Sequence, residues 1–471
     1  MNPLVTVYIT CFNYGAFVKQ AIQSVLNQTY QNFELIVIDD GSSDNSREVI
    51  KAYKQNARIQ IIFQQNKGLN ATNNVAIRNA KGKYIVRLDA DDYFEPEALG
   101  VMTSILESDP DLGLVFPDYY YVDIEGNRTG THRRHFFDDE VTLYDQPAHG
   151  ACTMVRLEYL TKLDGYDESF SCQDGFDLWI KFIKFHKVTN INRPLFSYRQ
   201  HNRNLSTNQN NILETRRKMK RKFSEKYLSS PDTLGIIPVR NRIYNGQSWP
   251  LFEYHGKKVL DHRIESCLNL NNINHLIVTS ADEEILSYLN DNYKDEARLT
   301  ILKRSEELAS YDIKIDETIR FALKNFDKTP DAIAVVSIEY PFVNSALIDE
   351  ALDTLMIFDS ESLISVKSSK GPYYRHNGRT LKAILDQDKY TSHEREALYE
   401  SVGGIMVSTL KAFQKNNSLI GERVSHLLVN DENSFGVLNN FQFEIFKLLV
   451  NNLQNFSPSI ENKNSSVSYV K

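Results

Sequence analysis

Cysteine is scarce in this 471-residue chain: Cys11, Cys152, Cys172 and Cys267 are the only four, scattered without metal-type spacing. Neither a disulfide framework nor a zinc cluster can be built from them, and a reducing compartment fits best. No run approaches the roughly 18 apolar residues of a membrane-spanning helix, and the chain opens without a basic leader ahead of an apolar core. The expectation is a cytoplasmic protein, with a peripheral position at the inner face of the membrane as its variant. An excess of positive charge is also missing. With 54 basic against 61 acidic residues the formal charge is −7, which gives no global attraction to nucleic acid or anionic lipid. Base-stacking motifs are absent too, so no nucleic-acid partner is expected. Hydrophobic residues make up 41% and charged residues 24%, which excludes a disordered, collagen-like or fibrous chain. At about 100 to 200 residues per domain, two to four domains are expected.

What is present is a repeating pattern. From Met1 to about Tyr198, apolar runs alternate with amphipathic stretches, which predicts a mainly parallel sheet covered on both faces. Val5 to Thr10 reads as a strand. Phe17, Ala21, Ile22, Val25 and Leu26 recur at helical spacing, and Glu34 to Ile38 forms a second strand ending in Asp39-Asp40-Gly41-Ser42. Ile59 to Phe63 precedes a polar helix, and Tyr84 to Leu88 runs into Asp89-Ala90-Asp91-Asp92. Residues 211–227 form a basic helical stretch containing Arg216, Arg217, Lys218, Lys220, Arg221 and Lys222, followed by Ser229-Ser230-Pro231-Asp232. This places a boundary, giving units at 1–228 and 234–456. The basic stretch reads either as a linker helix or, through 216–222, as a contact to a membrane surface. In the second unit, Leu234 to Val239, His275 to Ser280, Ala332 to Ile338, Leu363 to Val366 and Gly404 to Val407 read as strands. Residues 457–471 are polar, aperiodic and expected to be a flexible tail.

Two acidic clusters follow two strands, and in an open parallel sheet the crevice beyond the carboxyl ends of strands is where ligands bind. Asp89, Asp91 and Asp92 offer hard oxygen ligands of the kind Mg²⁺ or Mn²⁺ takes, and such a cation could bridge to a diphosphate. Asp40 could accept a hydrogen bond from a nucleobase N–H, with Thr10 lining the same pocket. The other reading is that these are turn residues that cap helices or bind water. Asp174, in Gln173-Asp174-Gly175-Phe176-Asp177-Leu178-Trp179, opens an amphipathic helix. It serves either as a cap satisfying backbone donors or as a general base toward an acceptor hydroxyl.

Taken in order, Ile9 to Asn13, Asp39 to Ser42, Asn66-Lys67-Gly68-Leu69, Leu88 to Asp92, Asp174 to Trp179 and Tyr198-Arg199-Gln200-His201 resemble the family 2 glycosyltransferases, which have the GT-A nucleotide-sugar-binding fold. The resemblance covers about the first 210 residues. It implies that Thr10 and Asp40 contact the base, that Asp89 lies near the ribose, and that Asp91 and Asp92 hold the metal. It further implies that Asp174 is the catalytic base and that His201 approaches the diphosphate or the metal. The implied donor is a nucleoside-diphosphate sugar, UDP-linked by family weight, and the acceptor a saccharide or lipid-linked hydroxyl. Transfer would be a single inverting displacement in surface polysaccharide or related glycan synthesis. One departure stands out: Asn73 occupies a place where many relatives carry arginine.

The second unit has its own resemblance. Ile237-Pro238-Val239-Arg240, Gly256 to Leu260, Ile264-Glu265, Ile277 to Ser280, Arg304 with Glu307-Leu308-Ala309, and Leu363 to Val366 resemble the cytidylyltransferases that make CMP-activated acid sugars. Trp249 stands where a phosphate-binding lysine is expected, Ala281 where aspartate is usual, and Gly436 to Asn440 offers no carboxylate for Mg²⁺. The fold class expected is therefore α/β twice over, a GT-A unit and a cytidylyltransferase-like unit without CMP transfer. That second unit could position the transferase, bind an acceptor or form a homo-oligomer, and Arg240 and Arg304 read either as anion-binding residues or as solvated or structural arginines. The alternatives are a bifunctional transferase and CMP-sugar synthetase, or a noncatalytic sugar-nucleotide scaffold.

Overall fold

The structure, a computed structural model, describes residues 2–132, 150–200, 209–369, 373–376, 381–383 and 398–453. His201 and residues 457–471 lie outside the described residues. The first half runs β1 (Val5–Cys11), α1 (Val18–Leu26), β2 (Phe33–Asp40), α2 (Ser46–Lys51), β3 (Ile59–Gln64), α3 (Leu69–Asn79), β4 (Tyr84–Asp89) and β5 (Tyr93–Phe94). It continues through α4 (Ala98–Ser108), β6 (Leu112–Val122), β7 (Arg128–His132), β8 (Met154–Arg156), α5 (Leu157–Lys162), α6 (Asp174–Phe185), β9 (Lys187–Arg199) and α7 (Gln209–Tyr227).

These strands form a nine-stranded sheet in the order β3-β2-β1-β4-β8-β6-β9-β5, with β7 on β6. β1 to β4 are parallel, and β1, β2 and β4 consist largely of β-branched and apolar residues buried on both faces, as strands covered by helices must be. Six of the nine strands, β1 to β4 with β6 and β9, run the same way, so the sheet is mainly parallel as expected, but three short strands make it mixed. β8 runs antiparallel to both β4 and β6, and β5 and β7 are antiparallel to their partners. Alternation divides the core: Val5, Val7 and Ile9 pack with α1 and α4 on one face, while Tyr8, Ile36 and Ile38 pack with α6 and α7 on the other. Val18, Ala21, Ile22 and Val25 make the buried stripe of α1 at helical spacing.

The second sheet has seven strands, in the order Leu299–Lys303, Ile273–Ser280, Thr233–Pro238, Ala332–Val336, Leu398–Thr409, Ser362–Ser369 and Val424–Leu428. Leu398–Thr409 runs antiparallel to both of its neighbours, so this sheet is mixed as well. Helix α7 joins the halves as a packed element. Its Met219 and Phe223 share one apolar cluster with Trp179 of α6 and with Ile357 and Phe358 from the second half. Lys220 Nζ donates to Glu350 Oε1 at 3.0 Å and Thr354 Oγ1 at 3.1 Å, on the helix Ser345–Ile357, with both charged groups buried. Other basic residues of this stretch also make internal contacts. Arg221 pairs with Asp349 at 2.9 Å, Lys222 with Asp167 at 2.5 Å and Lys226 with Asp164 at 2.6 Å.

Candidate active site

Chain order and space diverge between β1 and β4: β2 and β3 lie to one side of β1, β4 to the other. Such a switch point opens a crevice at the carboxyl ends of the strands. Thr10 sits there, in register with Ile38 of β2 and Asp89 of β4, and its hydroxyl reaches Asp89 Oδ1 at 3.5 Å. The loops beyond β1 and β2 are tied together. Asn13 Oδ1 accepts from the Ser43 amide at 2.8 Å, and the Gly15 amide donates to Asp44 Oδ2 at 2.9 Å. Gly41 holds a φ of +83°, and a Cβ added there would meet the Asn66 amide nitrogen at 2.6 Å. Glycine therefore lets the Asp39 to Ser42 turn lie against the loop before α3.

Asp40 is 5% exposed. Its carboxylate accepts from Lys67 N at 2.9 Å, Gly68 N at 3.0 Å and Gln64 Nε2 at 2.7 Å. Three of about four lone-pair positions are thus taken, leaving room for one more donor. Neighbouring Asp39 is fully buried and pairs with Arg47 at 2.7 Å. Asn73 is fully buried on α3, and neither its amide oxygen nor its amide nitrogen has a hydrogen-bond partner.

A residue that sequence reasoning missed organises the other wall. Arg87, on β4 and 4% exposed, pairs with Asp89 at 2.9 Å and also with Asp174. Burial works against its charge, but the Asp174 and Asp89 carboxylates outweigh that and hold the guanidinium above its ordinary range. The clue was present: a charged residue within the otherwise apolar run Tyr84 to Leu88 needs a buried partner. Asp174 stands in the first turn of α6, whose preceding residue Gln173 makes no side-chain cap. Its carboxylate is engaged by Arg87 and has 13% of its surface exposed. Phe176, Trp179, Ile180 and Phe182 anchor α6 in the core, with Trp179 edge-on to Phe116 at 5.6 Å. The helix that presents Asp174 is therefore fixed by burial that contributes about 2 kcal/mol per large side chain.

Asp91 is half-buried, whereas Asp92 is 1% exposed. Asp92 Oδ1 accepts from the Arg199 amide at 2.9 Å, while its Oδ2 is buried with no hydrogen-bond partner. Burial and repulsion from Asp91 and Asp89 push the Asp92 carboxyl well above its usual value. Arg199 closes the corner: its guanidinium donates to the carbonyls of Asp91, Asp123 and Ile124 and to Gln20 Oε1, all within 2.9 Å. Tyr14 registers the convergence, its phenol pushed up by burial and then by Asp91, Asp89 and Asp92. Among the described residues no three His, Cys, Asp or Glu side chains gather into a metal-holding group. A concentration of carboxylates containing an orphaned buried oxygen fits a divalent cation, whose remaining ligands would come from a bound phosphate.

In the second half, Trp249 is fully buried. Its indole N–H donates to Ile338 O at 3.1 Å and its ring meets Phe446 edge-on at 5.1 Å. Val437, within the Gly436 to Asn440 segment, is likewise fully buried in the core. Arg304 donates to the carbonyls of Thr279 and Val239, and Arg240 to that of Ser310 at 2.8 Å. Burial, with the Arg240 charge beside it, pushes Arg304 down to about 10.

Residues 6–163 match the description "Glycosyl transferase family 2". An uncharacterized glycosyltransferase of Methanocaldococcus jannaschii is 32% identical over 218 residues, 43% of this chain and 72% of that protein. The chain belongs to glycosyltransferase family 2. A chondroitin synthase of Pasteurella multocida is 31% identical over 207 residues, and the match spans 43% of this chain but 21% of the synthase. Among solved structures, Staphylococcus aureus TarS 1–349 in complex with UDP-GlcNAc has a TM-score of 0.41 at 16% identity, covering 48% of this chain and 68% of that one. No helix among the described residues is long and apolar enough to cross a membrane.

Proposed function

We propose that the first half transfers a sugar from a nucleoside-diphosphate sugar to a hydroxyl acceptor, with inversion at the anomeric carbon. The observation that carries this reading is the Asp89-Arg87-Asp174 chain: one buried guanidinium links the β4 terminus to the start of α6. Asp174 is the general base, oriented by Arg87 so that its carboxylate can take the acceptor proton as the oxygen attacks. Asp40 keeps one acceptor position for a base N–H, beside Thr10. Asp91 and Asp92 are the carboxylates we assign to Mg²⁺ or Mn²⁺, Asp92 through its unpartnered Oδ2, and Asp89, paired with Arg87, is assigned to the ribose. Such a cation would offset charge growing on the departing diphosphate. The match to a polysaccharide synthase supports a growing glycan as acceptor, and the motif resemblance favours a UDP-sugar donor.

The second half is read as a unit that has lost CMP transfer, since the Trp249 indole lies in the core and supplies no cation to a triphosphate. The test is incubation of the full chain with a panel of nucleotide sugars, oligosaccharide acceptors and Mn²⁺. Transfer from at least one donor, lost in Asp174→Asn, supports the reading. Undiminished transfer by Asp174→Asn removes the base assignment, and pyrophosphate release from CTP with an acid sugar would restore the bifunctional alternative.

A further inference from the structure

Gln173, immediately before Asp174, holds a left-handed backbone with φ 64° and ψ 31°. A residue with a Cβ adopts that conformation only when its surroundings impose it, and such outliers concentrate at functional sites. The surroundings here come from α7. Arg216 Nε donates to Gln173 Oε1 at 2.7 Å, and the same guanidinium lies over the Phe176 ring, 4.8 Å from its centroid. One residue earlier on each segment, Cys172 Sγ donates to Thr215 Oγ1 at 3.7 Å. Arg216 thus grips both sides of the turn that carries Asp174. One turn further along α7, Lys220 is anchored on Glu350 of the second half.

We propose that Arg216 is a positioning residue for transfer: it holds Gln173 in the left-handed conformation and so aims Asp174, with the second half as the buttress of α7. This rests on the proposed role of Asp174. It also assigns a use to the basic helix that requires neither a lipid nor a nucleic acid.

The test compares Arg216→Ala, the double variant Arg216→Ala/Gln173→Gly, and Lys218→Ala as a control on the outer side of α7. Glycine adopts positive φ without a Cβ penalty, so the double variant removes the need for the grip. The expected result is a fall in kcat of about tenfold or more for Arg216→Ala, with donor KM within about twofold of wild type. The double variant should recover most of that loss, and Lys218→Ala should match wild type. Amide hydrogen exchange across residues 172–178 should quicken in Arg216→Ala and return in the double variant. Unchanged kcat in Arg216→Ala, or a loss that the glycine does not recover, overturns the proposal. If wild type transfers no sugar, the functional reading fails by itself. The exchange comparison then decides the positioning claim: unaltered exchange in Arg216→Ala refutes the grip, and quickening reversed by Gln173→Gly upholds it.

Discussion

Asp353 faces α7 from the helix Ser345–Ile357, and Asp353→Asn has an effect whose size depends on pH. The Asp353 side chain is 3% exposed, its Oδ2 has no hydrogen-bond partner, and Arg221 approaches its Oδ1 only to 3.9 Å. Burial first, and the neighbouring Asp349 second, push its carboxyl up to about 7 from an ordinary 3.8. The folded state therefore binds a proton more tightly than the unfolded chain. Stability contributed by the neutral carboxyl is full below about pH 4 and is lost as pH rises toward 7. A rise of roughly three pH units at about 1.4 kcal/mol each sets a ceiling near 4 kcal/mol on the penalty at pH 8. The asparagine side chain keeps the shape and carries no charge, so the variant should melt several degrees above wild type at pH 8, with the gap closing toward pH 5. The assay is the melting temperature of both proteins at half-unit pH steps. A variant less stable than wild type at pH 8, or a gap that does not change with pH, would refute the burial argument.

Three further outcomes follow from the packing. Gly150→Ala places a Cβ 2.6 Å from Arg87 Nη2 and 2.9 Å from Asp174 Oδ2, so sugar transfer should fall, and the melting temperature should drop as the buried ion pair is displaced. Arg87→Met leaves two carboxylates without their cation at a partly buried site and should lower stability by about 3 kcal/mol in denaturant titration, with transfer lost. Lys220→Met leaves Glu350 buried without its partner and should cost about 3 kcal/mol. Adding Glu350→Leu should recover most of that, a coupling that a double-mutant cycle measures directly.

The strands that build the crevice were legible because parallel strands covered on both faces must be continuous apolar runs, and β1, β2 and β4 are such runs. Their acidic ends could be placed by the same logic. β6 and β9 were not legible. Pro117 and Pro194 interrupt them, their register shifts near both prolines, and the first half of β9 is polar and largely unburied. The antiparallel pairings were missed for another reason: β5, β7 and β8, the strands that run against the rest, are only two, five and three residues long. Within the site, the positions of Thr10, Asp40 and Asp89 followed from strand ends, whereas the separate situations of Asp91 and Asp92 did not. Adjacent residues in a turn point different ways, and only the Arg199 amide that takes Asp92 Oδ1 shows which one is turned inward. Arg87 escaped because periodicity treats a lone charge in a strand as noise. The partnership of α7 with the second half escaped because Glu350 and Asp353 lie more than 100 residues away.

The measurement closest to the central claim is the turnover of a nucleotide sugar by Asp174→Asn beside its binding of the free nucleoside diphosphate. The account predicts that Asp174→Asn binds the nucleotide as wild type does, while transfer to the acceptor falls by about a hundredfold or more. Wild-type transfer by Asp174→Asn, or loss of nucleotide binding and turnover together, would contradict it.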